Sequence, residues 1–311
     1  MKIDRRFVAT FFLFTILGLA GAGTLYLLGN NAIKTSDVYF YPSDPWDWSQ
    51  ADTSFQLHGR FYFPIGYVEG NDYPTAIMFH GLDRSLEDND YLARKLAAMG
   101  IITFSISFRG HGNSGGFYND SLYPNQTENF GDALGAYRYA IEQDWVDNTN
   151  LLVHGTSMGG GASMYLAELG LVPTFVVWYP ALGYIVRNFT LYEHVSTDPN
   201  FKGYIIAGTA DECGVCLPSY NQEFVTNNPS VAIHWHEGAT HTDSKFFLDS
   251  IELTVAWISS NWAIPEPNWL VDWYTSWVLG VVVAGFVVVI DVIWLISRKL
   301  KRKKEGEKAR E

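Results

Sequence analysis

The segment LLVHGTSMGGGAS, residues 151–163, places one hydroxyl among four glycines. Gly155 and Gly159 stand two residues before and two residues after Ser157, the spacing G-x-S-x-G. A serine hydroxyl attacks a carbonyl only when it is held out from the backbone and a base takes its proton. A sharp strand-to-helix turn holds it out, and side chains two positions either side of the serine would clash in such a turn. Glycine at 155 and 159 removes both clashes, while Gly160 and Gly161 let the departing helix pack closely. The positive end of that helix then faces the site where negative charge develops.

A nucleophilic serine needs a base, and the base needs a carboxylate to orient it. The apolar run GYIIAG leads into Thr209-Ala210-Asp211, and VAIHWH leads into EGATH, which ends at His241. Each candidate thus follows a predicted strand, at the sheet edge where open α/β sheets gather their catalytic groups. Ser157, Asp211 and His241 are the predicted nucleophile, acid and base. Glu212 adjoins the acid but points the other way along the chain, and is the weaker choice. Two backbone N–H groups must receive the oxyanion. Met158, directly after the nucleophile, supplies one; Leu82, in the loop His80-Gly81-Leu82 after the apolar run AIMF, supplies the other. His234 and His236 share one face of a predicted strand and read as sheet residues, so no metal site is predicted.

The elements that position these residues alternate. Strand-like runs occur at Thr75–Phe79, Ile101–Phe108, Leu151–His154, Thr174–Tyr179, Gly203–Ala207 and Val231–Trp235. Helix-like segments fall between and after them at Glu87–Met99, Thr127–Gln143, Gly160–Leu169, Ser219–Thr226 and Lys245–Trp262. Strongly apolar strands alternating with helices predict an α/β fold, a mostly parallel sheet covered by helices on both faces. SFQLHGRFYF, residues 54–63, alternates in polarity and reads as an antiparallel edge hairpin.

In order along the chain, HGLDRS, FRGHGNSGG, HGTSMGG, GTAD and GATH resemble the motif set of the α/β-hydrolase superfamily, most closely its monoglyceride-lipase and serine-aminopeptidase-like branch. The resemblance spans roughly Phe55 to Ile264 and implies the α/β-hydrolase fold. It also implies that Arg109 and His111, in the R-G-H-G turn, support the site structurally, as do His80, Gly81, Gly155 and Gly159. Two features depart from the pattern: the C-x-x-C next to Asp211, and the roughly 20 residues between Tyr179 and Phe201, where such enzymes insert a cap.

The chain ends carry a different signal. Phe7 to Leu28 holds no charge in 22 residues, and Val278 to Ile296 holds only Asp291. Each run matches the roughly 20 residues a helix needs to cross a bilayer. Trp269, Trp273, Tyr274 and Trp277 precede the second run and RKLKRKK follows it, an aromatic belt and a basic stop. Ala20-Gly21-Ala22 would suit a signal peptidase, but the apolar run continues past it, which favours an uncleaved anchor. The predicted organisation is a cytoplasmic N-terminus at 1–6, a signal anchor at 7–29, an extracytoplasmic hydrolase domain at 30–268, a second transmembrane helix at 269–297 and a basic cytoplasmic tail at 298–311. The α/β domain is thus expected to be flanked by two transmembrane helices in a cell membrane or endomembrane. NNAIKTSD and IPEPN read as linkers at its two ends.

Residues 7–297 carry 10 Lys+Arg against 29 Asp+Glu, a balance that repels nucleic acid. Sequons at Asn119, Asn125 and Asn188 fall in the predicted outer segment as possible glycosylation sites. Cys213 and Cys216 form a C-x-x-C that suits a redox site, half of a metal site or a small disulfide; outside the cell a structural disulfide is favoured. The expected function is hydrolysis of a small-molecule or lipid carboxylic ester, with no cofactor. A peptidase or acyltransferase on the same fold, and a catalytically silent binding protein, are the alternatives.

Overall fold

The computed structural model describes residues 33–44, 49–118, 127–183 and 201–262, together with 285, 290, 293–299 and 301. The chain divides into two compact units, one of Ile33–Pro267 and one of Met1–Ala32 with Asn268–Glu311. In the second unit residues 293–299 are helical, with the Arg298 guanidinium 4.5 Å over the Trp294 ring. Among the described residues no helix is long and apolar enough to cross a membrane. The first apolar run, most of the second, and the sequons at Asn119, Asn125 and Asn188 lie outside the described residues.

The first unit is built on one eight-stranded sheet: β1 Lys34–Phe40, β2 Leu57–Phe63, β3 Tyr73–Phe79, β4 Ile102–Ile106, β5 Val146–Thr156, β6 Thr174–Trp178, β7 Lys202–Gly208 and β8 Val231–His236. Their order across the sheet is β1-β2-β4-β3-β5-β6-β7-β8. β1 and β2 are antiparallel to each other, and β2 to β4; every other pairing is parallel. The described helices are α1 Asp90–Ala98, α2 Thr127–Ile141, α3 Met158–Glu168, α4 Pro218–Asn227 and α5 Phe247–Trp262.

Period-two alternation divides the strands between two cores. In β3, Ile77 and Phe79 enter a cluster with Phe61, Phe104 and Phe130, while Ala76 and Met78 enter one with Leu92, Leu96 and Ile251. Helices α2 and α3 contribute to the first cluster, α1 and α5 to the second. Apolar residues on both sides of a strand require cover on both faces, which is why the parallel strands read as near-continuous hydrophobic runs.

Two elements depart from the sequence reading. The stretch 30–37, which reads as a linker, contributes Lys34–Asp37 to β1, paired in the register Lys34↔Phe63 to Phe40↔Leu57. The first four of its residues are exposed, so an outermost strand carries little apolar signal. β2 is antiparallel as expected but sits one place in from the edge, because β1 covers it.

His154 lies near the C-terminal end of β5 and is buried. Its Nδ1 bonds to Val176 O at 2.9 Å, and its ring stands edge-on to Trp178 at 4.8 Å. Burial disfavours the imidazolium and pushes this histidine down to about 4, despite the hydrogen bond to Val176. The unfolded histidine takes up a proton below about pH 6.5 and the folded one does not until about 4, so stability contributed here is full above 6.5 and lost as pH falls. Tryptophan-monitored urea unfolding from pH 7 to 5 should therefore cost the wild type more than His154→Asn. The limiting difference in slope is about 1.4 kcal/mol per pH unit. A gap between the two proteins that does not vary with pH would refute the assignment.

Candidate active site

The turn between β5 and α3 is strained at one residue. Ser157 has φ 55° and ψ −113°, positive φ that a residue with a Cβ rarely adopts. Three backbone bonds hold it there: Ser157 N–H donates to Trp178 O at 2.9 Å, and Ser157 O accepts from Gly161 N at 3.1 Å and Ala181 N at 2.9 Å. α3 begins at Met158, two residues earlier than the sequence reading, so the serine caps the helix directly. The glycines have the predicted steric role. A Cβ on Gly155 would run into the Gly159 carbonyl, and one on Gly159 would meet Phe79 O and lie 2.6 Å from His80 O.

Around this serine the structure brings together two residues from distant loops. Ser157 Oγ is 2.9 Å from His241 Nε2, and His241 Nδ1 is 2.8 Å from Asp211 Oδ2. Asp211 is buried and also accepts the Cys213 N–H at 2.9 Å. The loops after β7 and β8 are stitched to each other: Thr209 N–H donates to His236 O, Ala210 N–H to Ala239 O, and Gly238 N–H to the Thr209 hydroxyl. Those bonds fix Asp211 and His241 relative to one another. Burial opposes the charged form of His241, but the hydrogen bond and charge of Asp211 outweigh it and raise its pKa.

The His80 loop lies beside Ser157, since a Cβ on Gly81 would stand 3.7 Å from Ser157 Cβ. Fully buried His80 accepts the Phe108 N–H on Nε2 at 3.0 Å and bonds through Nδ1 to Gly81 O at 2.6 Å. Those partners require the neutral ring with the proton on Nδ1. Burial enforces that state by pushing His80 down to about 3. Because a peptide unit is planar and trans, fixing Gly81 O toward the ring points the Leu82 N–H the opposite way.

Arg109 does not contact the serine. Its backbone N–H and its guanidinium Nη2 and Nε hold the fully buried Asp132 of α2 at 2.8, 2.7 and 3.0 Å. His111 is buried, bonds through Nδ1 to Arg109 O at 2.9 Å, and packs its ring 5.1 Å from that of His80. The pair thus ties the loop after β4 to α2 and to the His80 loop. Residues 184–200, most of the segment where a cap would stand, lie outside the described residues.

One prediction needs correction. Cys213 and Cys216 are not disulfide-bonded: their Sγ atoms are 3.0 Å apart, beyond the roughly 2.05 Å of a covalent bond, and both are free thiols. Cys216 is fully buried with its Sγ 3.9 Å from His241 Nε2. The hydrogen bond between the two thiols brings Cys213 down to about 6 against the effect of burial, while the same bond and burial push Cys216 well above the usual thiol range. A sequence spacing alone cannot show that the pair reaches the base, because Cys216 and His241 are 25 residues apart.

The sequence reading also missed two residues around His236. Tyr179, with φ 47°, places its hydroxyl 2.9 Å from His236 Nδ1, and Asp249 of α5 places Oδ2 2.9 Å from His236 Nε2. The Tyr179 ring in turn stands edge-on to His241 at 6.1 Å, so this second chain of polar contacts packs against that imidazole. Its signal in the sequence is only the position of Tyr179 directly after a strand.

Comparison with known proteins bears on the fold. Residues 89–173 match the prolyl oligopeptidase family, a stretch that includes Ser157. No curated protein matches the chain in sequence. Among solved structures, the esterase Pf2001 of Pyrococcus furiosus superposes with a TM-score of 0.56 at 18% identity, over 74% of this chain and 94% of its own. Est1E of Butyrivibrio proteoclasticus, solved with ferulic acid, gives a TM-score of 0.56 at 16% identity over 68% and 97%. A putative dipeptidyl aminopeptidase IV of Bacteroides ovatus gives 0.54 at 17% identity, over 74% of this chain but 36% of its own. With the strand order above, these likenesses establish the α/β-hydrolase fold.

The close approach at Gly159 makes a direct test. Gly159→Ala should lower the thermal midpoint by about 2–10 °C, the equivalent of an overpacking cost of about 1–3 kcal/mol. Gly214→Ala, where a Cβ meets nothing within 4 Å, should leave it unchanged. Equal midpoints for the two variants would show that the turn is not sterically closed.

Proposed function

We propose that this chain is a serine hydrolase that cleaves carboxylic esters through an acyl-enzyme. The observation that supports it most is the chain of hydrogen bonds from Ser157 Oγ through His241 to Asp211, anchored on a strained turn at a helix N-terminus. In this reading His241 Nε2 takes the serine proton as Oγ attacks the ester carbonyl, and Asp211 stabilises the imidazolium that forms. The Leu82 and Met158 N–H groups receive the oxyanion. His241 returns the proton to the leaving alcohol, and water, activated the same way, releases the acid. The step needs no redox change.

Ester cleavage is favoured because the esterases above are matched over 94% and 97% of their length. The dipeptidyl aminopeptidase is matched over only 36%. A peptidase is the second reading, favoured by the prolyl oligopeptidase match at 89–173. Parallel assays on a short activated ester and an aminoacyl anilide separate the two.

A fluorophosphonate probe should label Ser157, and Ser157→Ala should abolish both labelling and turnover while leaving the circular dichroism spectrum intact. His241→Ala should cost about as much, with losses on the order of 10⁶ in kcat, and Asp211→Ala less, on the order of 10⁴. Undiminished hydrolysis by folded Ser157→Ala would end the enzyme reading and leave a hydrolase-fold binding protein.

We further propose that the two apolar runs tether this domain outside a membrane, with both termini cytoplasmic. The support is the basic residues flanking both runs and the acidic character of everything between them. Protease added to intact cells should digest residues 31–268 and spare a tag on either terminus. A C-terminal tag reached from outside would overturn this topology.

A further inference from the structure

The proposed reaction makes no use of the two thiols set against its base. We propose that Cys213, Cys216 and His241 form a binding site for a soft divalent cation, of the Zn²⁺ and Cd²⁺ class, whose occupation takes the base away from Ser157. The inhibitory part rests on the function proposed above; the binding part does not.

The geometry is close to that of a chelate. The three donor atoms, two Sγ and one imidazole nitrogen, lie within 4.8 Å of one another. Cys213 Sγ is 3.0 Å from Cys216 Sγ, which is 3.9 Å from His241 Nε2. With Zn–S near 2.3 Å and Zn–N near 2.0–2.1 Å, ligands of a tetrahedral ion sit about 3.5–3.8 Å apart. The sulfurs must therefore part by less than about 1 Å, and Cys216 and His241 need only close by tenths. Two cysteines separated by two residues are a recurrent half of such sites, and thiolate with imidazole selects a soft cation over magnesium or calcium.

The outer layer of the site is in place as well. A ligating imidazole commonly turns its other nitrogen to a carboxylate, which fixes the ring and raises its basicity. Here His241 Nδ1 faces Asp211 Oδ2 at 2.8 Å, so Nε2 is the nitrogen left to bind, and Asp211 Oδ1 holds the Cys213 amide at 2.9 Å. Three protein donors leave a fourth position open for water. Binding releases the two thiol protons to solvent, and the metal–nitrogen bond uses the lone pair that would otherwise accept the Ser157 proton. The cation therefore competes with the serine proton for one atom.

The other candidate cluster, His234, His236 and Asp249, is less able to bind. It offers two imidazoles and one exposed carboxylate but no thiolate, so nothing in it selects a soft cation.

The test uses the full chain in detergent, reduced and stripped with a chelator, then titrated with Cd²⁺. We expect sulfur-to-cadmium charge-transfer absorbance saturating at one equivalent and displaced by Zn²⁺. The absorbance should be lost in C213S/C216S. The affinity should fall at least about tenfold in His241→Ala, since loss of a second-shell partner alone commonly costs 10–100-fold. In the wild type Zn²⁺ should also protect both cysteines from alkylation, a readout that needs no variant to fold. Ester hydrolysis should be blocked by Zn²⁺ and restored by chelator, whereas residual hydrolysis by C213S/C216S should not respond to the metal. No charge-transfer band, unchanged affinity in His241→Ala, or equal Zn²⁺ inhibition of C213S/C216S would each overturn the proposal. A chain that binds Cd²⁺ through all three residues yet hydrolyses nothing would refute the function and leave the metal site standing.

Discussion

The backbone of Ser157 is the constraint around which this domain is organised. A positive φ at a residue with a Cβ costs of order 1–3 kcal/mol and persists only where the surroundings over-determine it. Here the determinants come from three separate elements: the end of β6 through Trp178 O, the first turn of α3 through Gly161, and the segment after β6 through Ala181. The neighbouring carbonyls of Phe79 and His80 leave no room for a side chain at Gly159. Parallel pairing of β3, β5 and β6 brings all of these groups to one sheet edge. The turn is thus a product of the sheet's register, and a shift of one strand would remove at least one of its supports.

The placement of His241 and Asp211 depends on a second constraint, the stitching of the loops after β7 and β8. These strands pair in register from Gly203↔Val231 to Gly208↔His236, so their C-terminal ends emerge side by side. A Cβ at Gly208 would collide with Ala239, which is why the two loops can lie so close. The backbone bonds between them then set Asp211 and His241 at hydrogen-bond distance, though 30 residues separate them in sequence.

Much of this was legible in the sequence because it is written in short-range pattern. The parallel strands are continuous apolar runs, and Ser157, Asp211 and His241 each follow one of them within a few residues. β1 escaped because an outermost strand has one exposed edge and little apolar alternation, so KTSDVYF resembles a loop. The thiol pair was misread for a different reason. C-x-x-C spacing suits a disulfide, a metal half-site or a redox pair equally, and what separates them is the distance to His241, fixed by tertiary packing. Tyr179 and Asp249 carried no motif at all; their contacts with His236 exist only once β6, β8 and α5 are assembled.

His80 and His241 show how one fold edge shifts two imidazoles in opposite directions. His80 is buried with a backbone carbonyl and a backbone amide as its ring partners, and desolvation holds it neutral at about 3. His241 is also partly buried, but a buried carboxylate faces its Nδ1, and that charge more than offsets desolvation. The difference is the presence of one formal negative charge within hydrogen-bond reach, the same variable that sets roles in other paired sites. A neutral His80 is needed because only a neutral ring both accepts the Phe108 amide and donates to Gly81 O. At His241 the raised pKa suits the role proposed for it, in which the ring receives the proton of Ser157. Exchanging the environments would break both functions at once: a carboxylate beside His80 would charge the ring and release the Phe108 amide, and His241 without Asp211 would lose the partner that makes its protonation favourable. Where Asp211 sits therefore decides which of the two imidazoles is held neutral and which has its protonation favoured.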